Sequence, residues 1–558
     1  MMTEADRNLV LLPLGGTGEI GMNLYLYGWG RGEDRRWLMV DCGVMFGDER
    51  TPGVEVILPD PSFIEERRDR LEAILVTHAH EDHIGAIPWL AWRLEVPVYA
   101  TPFAAILIRQ KLAEAGWEDE VELKVVTPGE RLAFGEMAVE YVPVTHSLPE
   151  PNSLAIFTPA GTVIHTGDFK IDETPVIPPE FSFGRLRELG DAGVEVLVCD
   201  STNAAREGRS PSETEVGRTL ERLIKDAPGR VAVTTFSSHV GRIKIVSEAA
   251  RAAGREVVVA GFAMRRVIEA AREVGLLDSG HTFLEEEAFG YLPREKVVLL
   301  CTGSQGEARA ALSRIADDVH PRIALEKGDL VIFSSFTIPG NEKAVGSVMN
   351  RLAALGVDVI TNSPELLVHT SGHPRREELA TYYDLVRPKR LVPMHGEMMH
   401  MLKHAEFARS RGIGDVLLPE DGRMMRIAPG PLEIVGEVRS GQLHVDGRLV
   451  VPGEKGPVRA RRKLSFVGIV VVSVALDTKG NVRGPAQIIT EGLPEKTLDD
   501  EYFEDLLLDA ADDALEQMSR ARRRIDEAVI ETLRLAVRRA ATAEWGKKPV
   551  VHVIVQRV

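Results

Sequence analysis

Long apolar runs are missing from this 558-residue chain, and none reaches the length of about eighteen that a membrane-spanning helix needs. The first eight residues are polar and lack the apolar stretch of a secretory signal. Cysteine is scarce: Cys42, Cys199 and Cys301 stand alone, with no C-x-x-C pair. That excludes a disulfide scaffold and a thiolate zinc ribbon, and each cysteine ends or follows an apolar run, where it reads as a small buried hydrophobe. The expected location is the cytoplasm, with no membrane partner. Positive charge is in deficit, 67 Lys and Arg against 84 Asp and Glu, for a formal charge of −17. A protein that coats nucleic acid indiscriminately is excluded, although local fields around bound cations still allow a nucleic-acid substrate. The basic clusters at Arg459, Arg461, Arg462, Lys463 and at Arg520, Arg522, Arg523, Arg524 read as solvated faces. Repeats and low-complexity tracts are absent.

What is present is a chain long enough for three or four domains. Up to about residue 205, short apolar strands alternate with Gly- and Pro-marked turns. From about residue 213 the rhythm becomes helix–strand alternation: helices over 213–225 and 242–253, strands over 231–235, 256–260, 297–301 and 330–334. That pattern predicts a parallel, doubly wound sheet. A strand over 390–393 and a helix over 398–409 follow. Residues 429–456 are Gly-rich with short strands and read as a connector. The tail is expected to hold a hairpin (467–476 and 482–490), one long amphipathic helix over about 498–542 and a final strand over 550–555.

The chemistry is concentrated at His78-x-His80-x-Asp82-His83. A buried strand over 73–77 precedes it and an apolar helix follows, so the ligand types lie on a loop at the carboxyl end of a strand. Imidazoles and carboxylates suit borderline divalent cations such as Zn2+ or Mn2+. Two imidazoles one residue apart can share one ion, and the Asp82–His83 pair can face a second. Two ions need more ligands, and other strands end in them: His146, Asp168, whose carboxylate can bridge, and His395. His165 lies within a strand and reads as a core histidine. Gly16-x-Gly18-x-x-Gly21 matches a dinucleotide fingerprint in form, but a strand follows it rather than a helix, so it is read as a tight turn near the site. The loop 301–307 reads either as a phosphate cradle or as a tight βα turn. In Phe236-Ser237-Ser238-His239, two hydroxyls and an imidazole suit a phosphate monoester, with Arg242 one turn on; the alternative is a helix N-cap by Ser237 or Ser238.

This set of residues resembles the metallo-β-lactamase superfamily. The resemblance implies an αββα domain whose first ion takes His78, His80 and His146 and whose second takes Asp82, His83 and His395, with Asp168 shared. Asp41 matches the family's early aspartate, which orients the ligand loop. The α/β stretch between Asp168 and His395 resembles the β-CASP insertion of nucleic-acid-processing members, whose later motifs match Asp200, His373 and His395. Together with Gly15–Asn23, the loop 301–307 and His369-Thr370-Ser371-Gly372-His373, the chain is similar to the ribonuclease J family over almost its whole length.

The implied fold class is α/β: a metallo-β-lactamase domain (1–210 and 366–430), an inserted parallel-sheet β-CASP domain (211–365), a linker (431–463) and a small α+β dimerisation domain (464–558). The implied activity is two-metal hydrolysis of single-stranded RNA, 5′-to-3′ from a 5′-monophosphate and also internally, in RNA maturation and mRNA decay. The resemblance implies a 5′-phosphate pocket at Ser237, Ser238 and His239, and a clamp on the sugar–phosphate at His369, Thr370, Ser371, Gly372 and His373. Asp82 is expected to orient the attacking water or take its proton, and His373 to act as general acid. Asp200 is expected to align His395 or to structure the site. Asp48 and Asp446 are candidates for a separate structural Ca2+ site. A homodimer or tetramer and a place in an RNA-degradation complex are further expectations. Met22, where a basic residue is usual, and Pro374, after His373, depart from the pattern. A small-molecule lactonase or thioesterase would lack the insertion and Ser371-Gly372-His373. A non-catalytic RNA-binding subunit would have lost ligands, and all are present. DNA as substrate is disfavoured only by the resemblance.

Overall fold

The computed structural model describes residues 7–558. Two units can be distinguished, residues 1–45 with 58–442 and residues 46–57 with 443–558.

In the larger unit, two mixed sheets lie face to face. One has eight strands in the order Glu433–Glu437, Arg423–Ala428, Asn8–Gly15, Leu24–Gly30, Arg36–Val40, Leu71–Leu75, Val98–Ala100, Leu123–Val125. The other has seven: Arg131–Phe134, Met137–Pro143, Asn152–Thr158, Gly161–His165, Val194–Asp200, Arg390–Met394, Asp415–Val416. Alternate residues of each strand fill the space between them: Leu9, Leu11, Val40 and Leu75 from the first, Val139, Ile156, Val163 and Val392 from the second. The opposite parity of the second sheet (Val142, Ile164, Leu197, Leu391) packs beneath the helices Phe183–Ala192 and Arg376–Val386. This is the expected αββα layering.

The inserted sheet is parallel throughout, in the order Glu256–Ala260, Val297–Cys301, Val231–Thr234, Leu330–Phe333, Asp358–Ile360. Buried on both faces, its strands are continuous apolar runs such as Val-Val-Leu-Leu-Cys, every residue of which is buried. Its flanking helices Glu213–Asp226 and Val240–Ala252 lie where periodicity puts them. One register matters for the site. Val194–Asp200 and Arg390–Met394 are parallel neighbours, with Cys199 opposite Pro393 and Asp200 opposite Met394. The chain leaves this sheet to build the insertion and returns one strand over, so His395 emerges beside Asp200.

The smaller unit holds a three-stranded sheet, Gln487–Glu491, Ile469–Leu476, Val550–Arg557, covered on one face by helices. The tail helix is broken rather than continuous: Phe503–Glu516, Arg520–Arg523 and Asp526–Trp545 are separate, with Ser519 capping the middle turn. The stretch read as a connector is also ordered. Gln442–Asp446 and Leu449–Pro452 pair as a hairpin in a four-stranded sheet with Met45–Phe46 and Val56–Pro59. All three cysteines are free and buried, as small core residues. Among the described residues no helix is long and apolar enough to cross a membrane.

Candidate metal centre and the residues around it

The strand Leu71–Leu75 is almost fully buried and delivers the chain into Thr77 and His78; a single helical turn, Glu81–Ile84, then presents Asp82 and His83. Asp41 follows the strand Arg36–Val40 in the left-handed region, with φ 61°. Its carboxylate accepts the Thr77 N–H at 2.8 Å, the Thr77 hydroxyl at 2.9 Å and the His83 Nδ1–H at 2.7 Å. Asp41 therefore orients the ligand loop, and the bond to Nδ1 leaves the Nε2 lone pair of His83 facing inward.

The inward nitrogens form two groups. His80 Nδ1 lies 3.2 Å from His78 Nε2 and 3.2 Å from His146 Nε2. Three nitrogens at tetrahedral positions around one ion, each ~2.0–2.1 Å from it, would be ~3.3–3.4 Å apart. In the second group, Asp168 Oδ2 is 3.3 Å from His83 Nε2 and 3.2 Å from His395 Nε2, while Asp82 Oδ2 is 3.5 Å from His83 Nε2. The same Asp168 oxygen is 3.8 Å from His78 Nε2 and 3.9 Å from His146 Nε2, so one carboxylate faces both groups. Asp168 Oδ1 is buried without a hydrogen-bond partner. An orphaned carboxylate oxygen among ring nitrogens that face one another is what a cation-binding site presents before its ion is added, and the donor set fits two divalent cations. The electrostatics agree. Burial, then the neighbouring imidazoles, hold His78 and His146 well below the usual histidine range, and His80 is lowered to about 4. Burial works to raise Asp168, but His395, His83 and His373 outweigh it and keep the carboxylate ionised.

Three of the remaining ligand histidines, His78, His146 and His395, are held from behind. His146 Nδ1 donates to the Gly372 carbonyl at 2.6 Å, and His78 Nδ1 meets the Thr77 hydroxyl at 3.0 Å. His395, at φ 48°, donates from Nδ1 to Asn23 Oδ1 at 3.0 Å, and Asn23 Nδ2 donates to the Asp82 carbonyl at 2.9 Å. The Tyr25 hydroxyl fixes the amide in turn, at 3.1 Å from Asn23 Oδ1 and 2.8 Å from the Gly16 carbonyl. Sequence reasoning quoted Asn23 only as the end of the glycine turn. Nothing in the sequence singles it out, since an amide beside a glycine turn has no ligand signature; its full burial shows only in the structure. The turn itself is no dinucleotide cradle: Thr17–Gly18 pairs with Gly396–Glu397, next to His395. Met22 is buried. His165 is a core histidine, its Nδ1 2.9 Å from the Tyr27 hydroxyl.

His373 sits beside the metal groups, its ring stacked 5.6 Å from that of His395. Its Nδ1 donates to Asp200 Oδ2 at 2.8 Å. Asp200 thus aligns His373 rather than His395, because the parallel register places Asp200 at the strand end facing the 371–373 loop. Burial disfavours the imidazolium, but Asp200 and then Asp168 and Asp82 overcome this and push His373 up to about 9. Asn203 Nδ2 ties the loop down, donating to Ser371 Oγ at 2.8 Å and to the His373 carbonyl at 3.3 Å. Thr370 Oγ1 donates to the Pro211 carbonyl at 2.9 Å, and His369 is buried with Nδ1 unpartnered.

At the phosphate-pocket candidate the structure departs from expectation. The cap of helix Val240–Ala252 is His239, not a serine: its Nδ1 accepts the Arg242 N–H at 3.2 Å, and its Nε2 donates to Glu213 at 3.1 Å. Arg242 is fully buried against Glu213 Oε2 at 2.7 Å and the Val368 carbonyl at 3.1 Å. The reason is Glu213. A buried carboxylate needs compensating donors, and His239, Arg242 and Lys170 supply them. Only Ser237 and Ser238, half-buried with no hydrogen bond to either hydroxyl, stay free there. The 301–307 loop is a turn: Gly306 N–H bonds the Gly303 carbonyl at 3.2 Å, and the helix waits until Ala311. Asp48 and Asp446 are taken by arginines instead of gathering around a cation. Asp48 binds Arg50 at 2.7 Å, and Asp446 binds Arg461 through both oxygens at 2.9 Å. Neither belongs to a cluster of three or more ligand-type side chains among the described residues.

Four family models match in register with this architecture. They are the metallo-β-lactamase superfamily (21–234), the ribonuclease J β-CASP domain (228–352), the Zn-dependent metallo-hydrolase RNA specificity domain (365–419) and the ribonuclease J C-terminal domain (456–558). The chain is 50% identical to the ribonuclease J of Sinorhizobium meliloti, covering 99% of this chain and 98% of the relative. The chain belongs to the ribonuclease J family. Identity is 42% to ribonuclease J of Mycolicibacterium smegmatis, over 88% of both chains, and 38% to that of Thermus thermophilus, over 83% of this chain and 82% of the relative. A crystal structure of a protein of unknown function from Enterococcus faecalis V583 shares the fold, with TM-score 0.53 and 17% identity, covering 75% of this chain and 99% of that one.

Proposed function

We propose that this metal-dependent ribonuclease removes nucleotides 5′-to-3′ from single-stranded RNA bearing a 5′-monophosphate and also cuts internally, in cytoplasmic RNA maturation and mRNA decay. The observation that carries the reading is the pair of ligand groups sharing Asp168, with the His373–Asp200 pair at their edge. Two divalent cations, Zn2+ or Mn2+, held by His78, His80, His146, Asp82, His83, His395 and Asp168, would supply an activated water and charge on the phosphoryl oxygens. Asp82, beside both second-group histidines, orients the attacking water and takes its proton. His373, kept charged by Asp200, gives a proton to the leaving 3′-oxygen. His369, Thr370, Ser371 and Gly372 hold the sugar–phosphate next to the scissile bond. The free hydroxyls of Ser237 and Ser238 receive the terminal phosphate, while His239 braces the pocket through Glu213.

Pairing of two copies through the C-terminal unit fits its uncovered sheet face. There Ile489 is 63% exposed and Ile554 49%, with Val471 of the central strand opposite Ile489. We assign assembly into a dimer or tetramer, and docking into an RNA-degradation complex, to this unit.

The test compares matched RNA and DNA oligomers carrying 5′-monophosphate or 5′-hydroxyl ends, with and without chelator. Cleavage of the monophosphorylated RNA should dominate and vanish on chelation. Metal-independent binding without cleavage would sink the enzyme reading, and equal cutting of both 5′ ends would remove the role of Ser237 and Ser238.

A further inference from the structure

The segment after Asp200 runs alongside the 371–376 loop, with the Arg376 N–H bonded to the Arg206 carbonyl at 3.0 Å. Four arginines gather on this lip, and two are neutralised. Arg376 pairs with Glu207, and Arg209 lies 3.3 Å from Glu173 and 3.5 Å from Glu377. Among the described residues, Arg206 and Arg375 have no carboxylate within ion-pair distance; the Arg375 Nε is buried and unpartnered. They stand close enough for the Arg375 charge, after partial desolvation, to lower the pKa of Arg206. Two unneutralised guanidinium groups on backbone segments joined by that hydrogen bond repel each other, and this chain carries an excess of acidic residues that would ordinarily have screened them. What holds Arg206 is aromatic: its guanidinium carbon lies 5.7 Å from the centroid of Phe336, whose ring stands perpendicular to His369 at 4.8 Å. The lip is tied to the catalytic loop through Asn203, which bonds Ser371 and the His373 carbonyl.

We infer that Arg206 and Arg375, with Phe336 as the platform for Arg206, form a subsite for a backbone phosphate of single-stranded RNA flanking the scissile one. The inference rests on the proposed ribonuclease reading. A phosphodiester anion placed between the two guanidinium groups relieves their repulsion and accepts paired N–H donors, a geometry that suits arginine better than lysine. Pre-ordering by Phe336 lowers the entropy lost on binding.

The experiment uses the full-length, Mn2+-loaded protein and a 5′-phosphorylated RNA decamer, with kcat/KM measured over a salt series. Each phosphate contact contributes about −0.7 to the slope of log affinity against log salt on single strands. Arg206→Gln should raise KM about 5- to 20-fold, a range typical of a charge-assisted phosphate contact, and make the slope shallower by about 0.7. Arg206→Lys should keep the slope while losing part of the affinity. Arg209→Gln, on the same lip but already paired, is the control and should match the wild type. An Arg206→Gln slope equal to that of Arg209→Gln overturns the subsite. Arg375 also begins the helix Arg376–Val386, so the exposed Arg206 carries the test if Arg375→Gln misfolds. Absence of RNA cleavage by the wild type would bring down the ribonuclease reading instead. Fluorescence anisotropy of the labelled decamer over the same salt series would then read the subsite on its own, with the same slopes supporting or overturning it.

Discussion

Asp200 spends one carboxylate oxygen on the Thr202 N–H at 2.8 Å and the other on His373. A histidine raised to about 9 is protonated below that pH and loses its proton as pH rises through it. Turnover that depends on His373 as an acid therefore has an alkaline limb. Asp200→Asn removes the strongest favourable influence and should move this limb to lower pH in a kcat profile, with metal content unchanged. His373→Gln should abolish the limb and lower kcat by about 10²–10⁴. An Asp200→Asn limb at the wild-type position would show that the pair is merely structural. At this scale the clustering of the candidate metal ligands was legible because histidine and aspartate at strand ends carry their own chemistry. Asn23 was not, since an amide bears no ligand signature and its work is done on His395, 372 positions along the chain. The burial of His239 against Glu213 was not legible for the converse reason: local sequence predicts the helix that carries Glu213 but not that it lies beside His239.

Elements set what the residues can reach. The 371–373 loop approaches His146 so closely that a Cβ on Gly372 would stand 2.5 Å from the imidazole Cε1 and Nδ1. That ring is fixed by its neighbours and has nowhere to go. Gly372→Ala should break the bond from His146 to the Gly372 carbonyl and weaken metal retention by about 10–100-fold, as loss of a ligand's supporting bond does elsewhere. Metal stoichiometry after dialysis against a weak chelator checks this, and full retention would contradict it. The broken tail helix shows why periodicity alone fails. Leu507, Ala511 and Leu515 precede the break, and Val529, Leu533, Val537 and Ala541 follow it, all facing one core. Fourteen residues separate Leu515 from Val529, close to four turns, so the apolar pattern continues in phase across the interruption. Only the Ser519 cap marks it. Short strands within the 429–456 stretch were legible, but their pairing as a hairpin with partners at 45–59 was not, because no local pattern announces a strand recruited from so far away.

For the whole molecule, the apolar core of the C-terminal sheet and its helices is drawn entirely from residues after 469. Ending the chain at Gly456 should therefore leave the metal centre intact and yield a monomer by light scattering; a truncated chain that still scatters as a dimer would assign association to another surface. The layered fold and parallel insertion were legible because buried strands and amphipathic helices write different periods. The return of the chain to the first domain was inferred only from where the ligand types fell, and the pairing of Arg390–Met394 with Val194–Asp200 emerged only from the structure.

That return sets a schedule for synthesis. Six of the seven candidate metal ligands are translated by Asp168, and 226 further residues must follow before His395 appears. At roughly 5–20 residues per second, the nascent chain spends on the order of 10–45 s with its second cation site one imidazole short. Asp200 waits over the same interval for His373. Connectivity alone thus keeps the nuclease incomplete until the ribosome has read more than two thirds of the message that encodes it.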